Sequence, residues 1–152
     1  MKTEWTEADF HELSWHDVHV YAVGAVPERF EVRLDLDFIV EWLAPGPGAS
    51  ALDFRVAPAT LVFENAGELQ VHLSSPTGVL TLQELRREDE QRLPGASMST
   101  WRWTLVANEG SVALRASGFR QFLRQAPQWV RGRQHLLEEE RGGPSLSALP
   151  AK

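Results

Sequence analysis

The stretch that decides the fold is Trp15–Trp42, WHDVHVYAVGAVPERFEVRLDLDFIVEW. On its second half Phe30, Val32, Leu34, Leu36, Phe38, Val40 and Trp42 recur at every second position. On its first half Val18, Val20 and Ala22 do the same. Period two is the signature of a strand with one face buried. With Pro27, Glu28 and Arg29 as the turn, Val26 meets Phe30, Ala22 meets Leu34, Val20 meets Leu36 and Val18 meets Phe38, so both apolar rows fall on one side. A slip of one residue would bury charge, so the pattern selects this register. None of the three turn residues adopts a positive φ cheaply, which leaves the loop itself the weaker part of the reading.

The opposite face of this hairpin carries Asp17, His19 and Tyr21 on one strand and Glu31, Arg33, Asp35, Asp37 and Glu41 on the other. His19 stands opposite Asp37, and Tyr21 opposite Asp35. The plainest reading is a solvated polar sheet face with cross-strand charge pairs. A sharper one is a binding surface made of Asp17, His19, Tyr21, Asp35, Asp37 and Glu41 that engages a basic protein partner through complementary charge. The rival is a metal-binding protein or hydrolase using His19 with Asp17 and Asp37. No second histidine lies on that face to complete a zinc site, and His16 has the parity of the apolar row, as a hydrogen-bonded core histidine would.

Downstream, residues 44–51 (APGPGASA) read as a flexible surface loop. In residues 53–64 the apolar parity changes across Pro58, which predicts a bulge at Ala57, Pro58 and Ala59. Leu69, Val71 and Leu73 alternate as a short strand. Residues 79–87 suit a strand or a helix, and strand is the reading taken. A second hairpin with Asn108–Ser111 as its loop pairs Ala107 with Val112, Leu105 with Leu114, Trp103 with Ala116 and Trp101 with Gly118. Phe119, Phe122 and Leu123 have helical spacing ended by Pro127, predicting a short helix near residues 119–126. The fold class is therefore mainly β: antiparallel sheets, sandwich-like or strongly curled, with one or two short helices. Residues 1–141 form one β-rich domain and 142–152 a flexible C-terminal tail without periodicity.

Composition agrees. A chain of 152 residues buries roughly 70% of its unfolded surface on folding and forms one domain. There is no cysteine, which excludes disulfides, thiolate metal ligands and a thiol nucleophile. No secretory leader and no run of apolar residues long enough to span a membrane is present, so a cytoplasmic protein is expected. The net charge of -6 is unevenly spread. Residues 1–66 carry net -8 and residues 67–152 net +2. Gly110–Leu137 has no acid but contains Arg115, Arg120, Arg124, Arg131 and Arg133. Internal neutralisation of an acidic half by a basic half explains this better than nucleic-acid binding, which an acidic total disfavours. None of the patterns GxGxxG, GxxxxGK[ST], HExxH or GxSxG occurs, so no cofactor is implied and the sequence speaks against an enzyme. Trp42 and Trp103 have core parity, leaving Trp5 and Trp129 as exposed anchors. The sequence leaves the oligomeric state open.

WHDVH at 15–19, LDLDFIVEW at 34–42, APATLVFE at 57–64 and GFRQFLRQAP at 118–127 together resemble a family of uncharacterised small bacterial proteins. The resemblance covers the chain to about Arg141 and implies no activity, cofactor or catalytic residue. In size and style the chain is similar to small cytoplasmic immunity-type proteins, which neutralise a toxin by binding it.

Overall fold

The computed structural model describes residues 1–48, 52–95 and 97–151. Among these residues ten strands follow in order: β1 Glu4–Thr6, β2 His19–Val26, β3 Glu31–Leu43, β4 Asp53–Glu64, β5 Gly67–Leu73, β6 Leu80–Arg92, β7 Ser99–Ala107, β8 Gly110–Ala116, β9 Gly118–Leu123 and β10 Gln128–Arg131. Short 3-10 turns lie at Glu7–Glu12 and Pro27–Arg29, and a single helical turn, α1, at Glu138–Arg141. No helix among the described residues is long and apolar enough to cross a membrane.

All pairings are antiparallel, along the path β1-β9-β4-β3-β2-β6-β7-β8-β5, with β10 also on β4. The path does not close. It is one strongly curled sheet, because β4 runs into β5 and β8 into β9 with at most two residues between, while β4 pairs β9 and β5 pairs β8. These form one bent ribbon that wraps the sheet around its main core. Trp103, Phe63, Phe119 and Trp15 fill that core with tilted and edge-on ring contacts. Such contacts stabilise beyond the area they bury.

The first hairpin keeps the expected pairs His19 with Asp37 and Val20 with Leu36. A bulge at Tyr21 then shifts the register, so Ala22 meets Asp35 and Val26 meets Glu31. The loop gains Phe30, which takes the left-handed conformation (φ 55°) that the turn requires. The bulge expected at Ala57–Ala59 is instead on the partner strand: β4 is continuous, and Val40 of β3 is the extra residue, between the pairs Ile39 with Val56 and Glu41 with Arg55. β4 changes apolar parity because both of its faces are buried, the odd residues in the main core and Phe54 and Val56 in a second cluster with Val130 and Leu136. The Val40 bulge reverses the faces beyond it. Trp42 is therefore 64% exposed rather than in the core.

Residues 118–123 form strand β9, not a helix. Phe119 and Leu123 enter the main core while Phe122 is buried on the opposite face, so a strand covered on both sides imitates helical spacing. The second hairpin has the expected faces but slips by two residues: Trp103 meets Leu114, Trp101 meets Ala116, and Asn108 and Glu109 alone make the turn. His16 is exposed at the surface, its ring 3.4 Å from the Gln83 carbonyl, rather than in the core. The segment after Arg141, which lacks periodicity, is held across the sheet by bonds outside any ladder. Arg33 donates to the Leu146 carbonyl (3.1 Å), Thr60 to the Ser147 carbonyl (2.7 Å), and the Ala151 amide to the Leu123 carbonyl (2.8 Å). Of the loop expected at 44–51, residues 49–51 lie outside the described residues, as does Lys152 of the tail.

The two-residue turn depends on Gly110, whose φ of 139° suits glycine and where an added Cβ would collide with the His72 backbone on β5. Gly110→Ala is expected to cost about 1–3 kcal/mol. Gly46→Ala, whose Cβ meets nothing, should leave the denaturant midpoint in place. Equal midpoints for the two variants would contradict this account of the turn.

Candidate functional site

The face of β3 that sequence reasoning places in solvent is covered. After β10 the chain recrosses the sheet as an arm of residues 132–151, and Asp35 and Asp37 beneath it are both 0% exposed. Asp37 accepts from Arg141 Nε on Oδ1 (2.9 Å), and from the Tyr21 hydroxyl (2.9 Å) and the Leu136 amide (2.8 Å) on Oδ2. Asp35 Oδ1 accepts from Arg124 Nη2 (2.6 Å) and Arg141 Nη2 (2.7 Å). Its Oδ2 accepts from the Ser145 amide (2.9 Å) and Arg141 Nη1 (3.2 Å). The Arg141 guanidinium lies 4.0 Å from the centre of the Tyr21 ring. Two carboxylates are thus matched by two guanidiniums, with the remaining lone pairs met by amides and a hydroxyl. That is the condition under which buried charge is tolerated. Burial opposes the charge on Arg141, but its bonds to Asp35 and Asp37 outweigh this and hold its pKa above the ordinary value. Burial first, and then the neighbouring Asp37, push the Tyr21 hydroxyl well above the usual tyrosine range.

This geometry corrects the expected site. Asp35, Asp37 and Tyr21 are not a surface; they fasten the arm to the sheet. His19 is half-buried, its ring stacked on His135 of the arm at 4.4 Å and 7°. Glu41 is moved by the Val40 bulge to the other face, where Arg55 donates to it at 3.1 Å. Asp17, at a left-handed φ of 65°, is part-exposed beside His16 (3.6 Å) and accepts from Gln134 (3.3 Å). The rival trio of His19, Asp17 and Asp37 does not come together as a metal site: both oxygens of Asp37 are taken. Among the described residues no group of three or more His, Cys, Asp or Glu side chains could hold a metal ion. The charge halves do pair with each other. Arg120 approaches Glu31 and Glu64, Arg131 pairs with Asp53, and Arg124 and Arg141 pair with Asp35.

A cleft of about 540 Å³ opens to solvent beside the bulged end of β3. Phe38, Ile39, Val40, Glu41 and Trp42 all line it. Five consecutive strand residues point to both faces in turn, so the cleft runs along the strand's edge. The edge is open because β2 pairs with β3 only as far as His19 and Asp37. The chain before β2 turns away there, with the Asp17 amide bonded to the Leu82 carbonyl and the Val18 amide to the Trp15 carbonyl. Glu12, Asp17 and Glu41 supply three carboxylates, and among the described residues no Lys or Arg lines the space, though His16 does. Trp5 and Phe38, with ring centres 5.1 Å apart, form one wall, and Trp42 and Phe54 the other. Trp129 is 49% exposed on β10, with the Arg55 guanidinium 5.7 Å from its ring centre. Of the expected site residues, only Asp17 and Glu41 reach this cleft. Glu12, Trp42 and Gln134 belong to it without a sequence signal, since a bulge and an aperiodic arm place two of them.

Two outcomes test the fastening. Arg141→Met leaves two buried carboxylates with half their counter-charge and should cost about 3–5 kcal/mol, whereas Arg131→Met, at a solvent-exposed pair, should leave the denaturant midpoint unchanged; similar small effects would contradict the buried network. The second concerns pH. Burial first, then the charge of His135, lowers the pKa of His19 below the ordinary 6.5, against the opposing pull of Asp37, Glu109 and Asp17. The folded state then binds this proton less readily than the unfolded chain. Stability from His19 is complete above about pH 6.5 and is lost as pH falls from there through the folded value. Thermal melts from pH 7.5 to 5 should show this loss in the parent and a shallower one in His19→Gln, and parallel curves would remove the assignment.

Comparison with protein-family models, with curated proteins and with solved structures finds no match to this chain.

Proposed function

We propose that the protein is a non-catalytic binding module that takes a cationic segment of a protein partner in the cleft beside β3. The observation that carries this reading is the cleft's lining: Glu12, Asp17 and Glu41 together with Trp5, Phe38, Trp42 and Phe54, His16 being the one basic side chain among the described lining residues. Carboxylates in a concave, partly apolar setting attract an opposite charge more strongly than the same groups on a flat surface, because field lines concentrate there. Aromatic rings beside them favour Lys and Arg further through their negative faces. The net charge of -6 steers a basic partner in from a distance. Capture of a basic toxin, as immunity-type proteins perform it, is one concrete form of this function.

A short synthetic peptide of alternating arginine and leucine serves as the probe, with a glutamate and leucine peptide as its control. Titration followed by tryptophan fluorescence should show saturable binding of the basic peptide only. Raising the salt should weaken it, as screening requires. Charge reversal by Glu12→Lys with Asp17→Lys should reduce affinity more than about tenfold. Equal binding of both peptides, or unchanged affinity after reversal, would overturn the reading.

A further inference from the structure

Resting on that reading of the cleft, we infer the mode of binding: the cationic segment adds to β3 as an extended antiparallel or parallel strand along Phe38–Leu43. Of these six residues all but the bulged Val40 pair with β4 on one side, and none has a strand on the other among the described residues. At about 3.3 Å per residue the open edge is roughly 20 Å long, the length of an ordinary strand. An edge of this kind presents unpaired amide and carbonyl groups and is a template for another chain. Elsewhere on β3 that template is filled by β2. Here the chain that would continue β2 is diverted at Asp17, and a cleft of about 540 Å³ stands in its place.

The side chains around the edge fix the character of the occupant. Opposite pairs share a face, so Phe38 and Glu41 lie to one side of β3, and Ile39 and Trp42 to the other. Trp5 packs on Phe38 on the first side, and Phe54 stands beside Trp42 on the second. A strand laid along the edge sends successive side chains alternately against these two walls. With Glu41, Asp17 and Glu12 all lining the cleft, the strand that fits carries Lys or Arg interspersed with apolar residues. The bulge at Val40 is what puts Glu41 on the Phe38 side and Trp42 on the Ile39 side; an unbroken strand would have exchanged them. A second copy of this chain is the competing occupant.

The test uses the arginine and leucine peptide in three forms on the full chain: unmodified, N-methylated at alternate residues, and N-methylated at the intervening ones. N-methylation removes backbone donors and leaves every side chain in place. The expected result is that one methylated form binds at least about tenfold more weakly, because several backbone hydrogen bonds are lost together, while the other binds as the unmodified peptide does. Amides within Phe38–Leu43 should also gain hydrogen-exchange protection when the unmodified peptide binds. Equal binding of all three forms, without such protection, overturns strand addition yet leaves cationic recognition standing. Failure of every form to bind removes the reading beneath it as well. Protection of the edge that depends on protein concentration alone assigns it to a second copy and also overturns the proposal.

Discussion

Two carboxylates with no access to water, Asp35 and Asp37, constrain everything on the outer side of β3. An ionised side chain in such a place costs many kcal/mol unless it is matched by opposite charge and all its lone pairs are bonded. Both conditions are met here, with the Tyr21 hydroxyl of β2, chiefly by residues late in the chain: Arg124 just past β9, Arg141 in α1, and the amides of Leu136 and Ser145 in the arm. The arm is short, aperiodic and poor in regular hydrogen bonds. It stays in place because leaving would strand the carboxylates. This converts a chain end that the hydrophobic effect alone would hold weakly into a cover for one face of the sheet.

The same constraint decides which part of β3 stays open. With the central part of the outer face sealed, the cleft lies at the end of β3, where Gln134 of the arm lines it and the neighbouring strand has already turned away. Two bulges complete the arrangement. The one at Tyr21 lets its hydroxyl reach Asp37, and the one at Val40 carries Trp42 out of the core row and into the cleft wall. Each adds a single residue, and each places a side chain that an unbroken strand would have sent elsewhere.

The sequence shows the sheet well and the site poorly, for reasons that belong to particular residues. Alternation from Val32 to Phe38 reports which side chains share a face, and those do enter the core. It reports nothing about whether the other face is wet. Asp35 and Asp37 alternate as solvent-facing residues would, because the pleat is the same whether water or an arginine lies above it. Helical spacing at Phe119, Phe122 and Leu123 misleads since β9 is buried on both faces. The slip of two residues in the second hairpin preserves every face, so parity alone could not detect it. The run of arginines without acids did hold a usable signal. Arg124 and Arg120 are drawn to acids of the first half, as internal neutralisation requires.

The amide groups of Leu136 and Ser145 report most directly on whether the buried carboxylates hold the arm. Each donates to one of them, at 2.8 and 2.9 Å, from a segment with no strand ladder to protect it. Native-state hydrogen exchange at these two positions should be as slow as at core-strand amides such as that of Leu34, opening only with the global transition. Exchange at open-chain rates while Leu34 stays protected would show that the arm is not fastened, and the account of the sealed face would fail with it.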